Sequence, residues 1–207
     1  MHGRDHGNVP VSPGASSTEA WAICPADTVG LVRRDELESA GIHLPVLATV
    51  CAGPLPQPGN WAGRLDRLGI DVITTGAPVD DVVGVEQACA LVPHRPVMAM
   101  AGDPAALAAA GARVVAMQGV APTGVYAFRP DEVVVTPIAA DAPAENANDV
   151  AGAVLAAARE GRASAIWVAA PDLSMVPEDV AEAKLAALTE GARMARMWLA
   201  KQQSDPD

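Results

Sequence analysis

A chain of 207 residues is long enough for one domain with a sizeable core. Half the residues are apolar but only 3% are aromatic, so the interior must be filled by Ala, Val, Leu and Ile, which suits parallel strands covered by helices. With Asp+Glu 25 against Lys+Arg 14, the net charge of −11 repels phosphate backbones and anionic lipid surfaces and excludes nucleic acid and membrane as partners. Cys24, Cys51 and Cys89 share no C-x-x-C spacing and cannot all pair, which fits a reduced, cytoplasmic setting.

Residues 1–19 are polar and rich in Gly, Pro and Ser, lack the apolar centre of a secretory signal, and read as a disordered tail in which His2 and His6 are solvated. A single domain is expected over 20–201, followed by a short tail at 202–207. No apolar run approaches the ~20 residues that a membrane-spanning helix needs. From Val46 onward, β-branched runs alternate with Ala-rich stretches, the pattern of βα units. The pattern predicts strands over Val46–Val50, Asp71–Thr75, Val97–Ala101, Arg113–Met117, Glu132–Ile138 and Ala165–Ala169, with Trp21–Cys24 as a further candidate. Helices are predicted over Ala62–Leu68, Val79–Leu91, Pro104–Ala110, Asn148–Arg159 and Pro177–Lys201.

Asp103 before Pro104 is a capping carboxylate, and Asn148 or Asp149 can cap the next helix. Gly119–Asp131 reads as a helix-free connection. On the last helix Val180, Leu185, Leu188, Ala192 and Ala195 form an apolar stripe, while Arg33–Glu36 and the Arg193/Arg196 pair read as solvated helix faces. Six or seven strands fall short of eight, so the expected fold is a shortened or incomplete (β/α)8 barrel, TIM-barrel-like, with parallel strands covered by Ala-rich helices.

Two stretches carry a family pattern. The loop Pro171-Asp172-Leu173-Ser174 is followed by a helix that keeps Pro177, Val180, Ala181, Lys184, Leu185 and Glu190-Gly191-Ala192. Near the start of the core stand Cys51-Ala52-Gly53-Pro54-Leu55-Pro56 and Gly69-Ile70-Asp71-Val72-Ile73. Together these resemble the C-terminal domain of cobalamin-independent methionine synthases and their archaeal-type relatives, in the uroporphyrinogen decarboxylase and methionine synthase-like barrel superfamily. The resemblance implies a methyltransferase-related barrel with a zinc ion that activates a thiol. The family's ligands correspond here to Met98 or Ala99, Met100 or Ala101, Gln118 and Leu173, none a good zinc donor. No cofactor is therefore expected.

Active sites of such barrels gather at the C-terminal strand ends. Candidates there are Cys51, as nucleophile or core filler, and Asp172, as general base or Asx-turn acceptor. Thr74, Thr75 and Gln118 could bind a ligand, and Asp103 could do so if it is not merely a cap. Two functions follow: a metal-free group-transfer enzyme on a small molecule, or a non-catalytic descendant that binds a small molecule or a protein partner, with a homo-oligomer compatible with either.

Overall fold

The computed structural model describes residues 34–77, 80–117, 121–129, 133–159 and 167–204. The expected N-terminal tail, the strand at Trp21–Cys24, and Gln118 lie outside the described residues. Helix α1 covers 34–39. There follow β1 (Ala48–Cys51), α2 (Trp61–Leu68), β2 (Ile73–Thr74), α3 (Val82–Leu91), β3 (Val97–Ala99), α4 (Pro104–Ala109), β4 (Val114–Ala116), β5 (Tyr126–Phe128), β6 (Val133–Val135), α5 (Ala147–Arg159), β7 (Trp167–Ala170) and α6 (Glu178–Ser204).

The strands lie in two parallel sheets, ordered β1-β7-β6 and β2-β3-β4-β5, and a parallel bridge between Val50 and Val72 joins β1 to β2. Alternation splits the apolar residues between two cores. One face sends Cys51, Ile73, Val97, Val115 and Val168 against Trp61, Leu65, Leu107, Val154, Leu185 and Leu188 of the helices. The other gathers Ala48, Val50, Val72, Met98, Val114, Tyr126, Phe128, Trp167 and Ala169, capped by Leu37, Ala40 and Ile42 at and just after α1.

This second face curls on itself. Trp167 of β7 lies 6.2 Å from the Tyr126 ring and 5.5 Å from the Phe128 ring of β5. Along the pairing order β7-β1-β2-β3-β4-β5 a flat sheet would hold those strands ~24 Å apart, given ~4.8 Å per strand spacing. The chain's one Tyr and one Phe both sit on β5 and both meet Trp167.

Gly119–Asp131 thus departs from the expected plain connection, because Tyr126–Phe128 pairs with β4 over three residues, too few for periodicity to signal. Nor is Arg196 solvated. Its guanidinium donates to Asp71 and to the carbonyls of Val46 and Leu47, both at 2.9 Å, pinning the turn in which Leu47 takes a left-handed φ of 57°. Asp71 also accepts from Thr49 through its N–H (2.8 Å) and hydroxyl (2.9 Å), so one carboxylate ties β1, the entry to β2, and α6 together. Arg193, by contrast, pairs with Glu190 on an exposed surface.

Helix α5 starts one residue before the expected position because Asn146 caps it, accepting from the Asp149 N–H at 3.0 Å, rather than Asn148 or Asp149. Helix α6 runs on to Ser204, into the expected tail. It approaches α5 closely at Gly191, where an added Cβ would lie 2.4 Å from Val150. Among the described residues, no helix is long and apolar enough to cross a membrane.

Candidate functional site

The loops after β1 and β7 are sewn together at Leu173, the position that the sequence resemblance aligns with a zinc-ligating cysteine. The Leu173 N–H donates to the Pro54 carbonyl at 3.0 Å, and the Leu173 side chain is wholly buried in the helix-side core. A Cβ on Gly53 would meet the Asp172 backbone at 2.6 Å, so only glycine permits this approach. Met98 is buried in the curled face and Ala99 in the helix-side core. Leu173 and Ala99 are hydrocarbon and offer no donor to a cation, and the lone thioether of Met98, buried in the other core, is a poor zinc ligand, so these residues do not fit zinc. Among the described residues, no group of three or more His, Cys, Asp or Glu could hold a metal ion.

Cys51 is fully buried on the helix side, and that burial pushes its thiol up to about 12. At neutral pH it is a neutral packing group without access to solvent. Asp172 is exposed and accepts from the Ser174 N–H at 2.8 Å, closing an Asx turn. Ser174, first through its hydroxyl and then through its backbone, holds the Asp172 carboxyl below the usual carboxylate range, the opposite of what a neutral-pH general base needs. Asp103 caps α4, accepting from the Ala106 N–H at 3.2 Å. Cys51 and Asp172 therefore do not meet as a nucleophile and base.

The two threonines at the end of β2 diverge. Thr74 shares the face of its partner Met98 and is buried there, its hydroxyl without a hydrogen-bond partner. Thr75 points the other way, donates its hydroxyl proton to Asp80 and accepts from the Ala77 N–H at 3.1 Å. Asp80, also buried, takes the Met100 N–H on its other oxygen at 2.5 Å, so it joins the ends of β2 and β3.

Thr75 opens onto a cavity of about 550 Å³ between the β1–α2 and β2–α3 connections, on the side of the strands' C-terminal ends. Gln57, Asn60, Asp81 and Gln87 supply its other hydrogen-bonding groups, and Pro58, Ala62, Ala77 and Ala88 much of its apolar wall. Trp61, behind it, fixes the loop by donating to the Pro56 carbonyl at 2.7 Å. Sequence reasoning found Thr75 by its place at a strand end but missed Gln57, Asn60, Asp81 and Gln87. Asp81 carried a signal, a capping carboxylate ahead of an apolar helix. The amides carried none. A second cavity of about 570 Å³ lies between α1 and β5, away from the loops that carry these groups.

Compared with known proteins, the chain matches no family model, no curated protein and no solved structure.

Proposed function

We propose that this chain is a cytoplasmic, small-molecule-binding descendant of the methionine synthase-like barrel group that works without the group's zinc. In this reading the curled parallel strands are an incomplete (β/α)8 barrel: β1 to β5 and β7 surround the interior cluster, α1 closes its N-terminal end, and the βα connections form the binding end. The pairing order β6-β7-β1-β2-β3-β4-β5 supports it, since this is the cyclic order of a barrel opened between β5 and β6.

The observation that carries the functional reading is the cavity beside Thr75. Its volume suits a small organic ligand, it lies at the strand ends where such sites collect, and its lining includes neither Cys51 nor Asp172, the two candidates for chemistry. Binding is favoured over group transfer because Cys51 is withdrawn into the core and Asp172 is committed to its turn. A ligand-observed NMR screen of small polar molecules against the wild type and Ala77→Trp, which fills the cavity, tests the reading. Binders lost in Ala77→Trp are expected; no binder at all, or binders indifferent to the substitution, would overturn it.

A further inference from the structure

We infer that the cavity beside Thr75 selects a protonated amine. The inference rests on the small-molecule reading of the same cavity and follows from which protons its walls have left. Thr75 has given its only proton to Asp80 and keeps lone-pair capacity toward the cavity. The Gln57 side-chain nitrogen is engaged by the carbonyls of Leu55 at 3.3 Å and Gly76 at 3.1 Å, which leaves its carbonyl oxygen for a ligand. Asp81 accepts the Gly84 N–H through one oxygen at 2.6 Å and retains the other. Three fixed polar groups thus present acceptors, and a ligand must answer with donors.

Charge sharpens the selection. Among the described residues that line the cavity, Asp81 is the one acidic or basic side chain, and the buried Asp80 carboxyl group stands directly behind Thr75. The α3 N-terminus opposes them with roughly half a positive charge, too little to cancel two carboxylates. Among the described residues that line the wall, no Lys, Arg or His is present to receive an anion. An ammonium group on a hydroxylated or otherwise polar small molecule matches both features, and a phosphate or carboxylate matches neither. Asn60 and Gln87, whose amides can donate and accept, suit the ligand's neutral polar groups.

The probes are a set of primary amines, among them ethanolamine and glucosamine, and the carboxylates glycolate and gluconate, each titrated calorimetrically at low salt. Saturable binding by members of the amine set and none by the carboxylates is expected. Asp81→Asn removes the charge yet keeps the cap, since Asn caps as well as Asp; it should lower the melting temperature by no more than about 4 °C, from the lost helix-end charge, and weaken amine binding roughly tenfold or more. Cavity-dependent binding of carboxylates, or amine binding equal in Asp81→Asn, would overturn the inference while leaving the small-molecule reading intact. Binding by neither set, in a cavity that accepts other ligands blocked by Ala77→Trp, would also overturn it. A cavity that accepts nothing would overturn both.

Discussion

Leu173 and Cys51 show how one side chain's direction settles its chemistry. Cys51 ends β1 and Leu173 follows β7, and both could, by position alone, reach the binding end, yet each turns into the helix-side core. With its thiol held at about 12, Cys51 at pH 8 is thiolate in roughly one part in ten thousand. Iodoacetamide should leave Cys51 unmodified in the native protein and alkylate it only with denaturant, as followed by peptide mass; rapid native labelling would contradict its placement. Placing sulfur at Leu173 should not create a metal site either. Leu173→Cys is expected to cost about 1–3 kcal/mol in denaturant unfolding, from lost burial, and to bind no zinc. The sequence showed which residues stand at strand ends, but not that Leu173 would be tied inward through its N–H to Pro54.

At the scale of elements, α6 was the most legible part of the chain. Its apolar stripe is buried at Leu185, Leu188, Ala192 and Ala195 as the spacing predicts. Lys184, beside that stripe, is equally buried, which no periodicity discloses: its partners, the Pro143 carbonyl at 2.9 Å and Glu145 at 3.1 Å, come from a loop some forty residues upstream. Strand β5 escaped detection because three residues between turn signals carry too little alternation.

The Lys184–Glu145 pair predicts an asymmetry. Glu145→Ala leaves a buried ammonium with only the Pro143 carbonyl and should cost about 2–3 kcal/mol, whereas Lys184→Met, which replaces the charge with hydrocarbon, should cost about 1 kcal/mol or less. Burial raises the Glu145 carboxyl, but the Ala139 and Glu145 backbone N–H groups and Lys184 outweigh it and hold the carboxyl below the usual range. Its contribution to stability is therefore complete above the unfolded carboxylate value and is lost as pH falls through the lower folded one. Acid unfolding of Glu145→Gln should show a correspondingly shallower loss of stability below about pH 4.5. An identical pH profile to wild type would contradict the pairing. Arg196→Ala removes the tie among Asp71, Val46 and Leu47 and should cost about 2–3 kcal/mol in the same assay.

Across the whole molecule, alternation of β-branched and Ala-rich runs sufficed to foresee parallel strands under helices, since β1, β3, β4 and β7 send side chains into both cores. The curl of the sheet was less visible, because it depends on rings of β5 and β7 that meet only after the intervening strands have turned. The candidate site was legible mainly as a location. Its selectivity arises from which protons are already spent inside the fold, a property of pairings between distant residues that no local motif encodes. The central claim is the proposal that this chain works without zinc, since buried hydrocarbon stands at Leu173 and Ala99. Elemental mass spectrometry of the natively purified protein, after incubation with zinc and gel filtration, tests it most directly: zinc far below stoichiometry is expected, and one tightly retained zinc per chain would contradict the account.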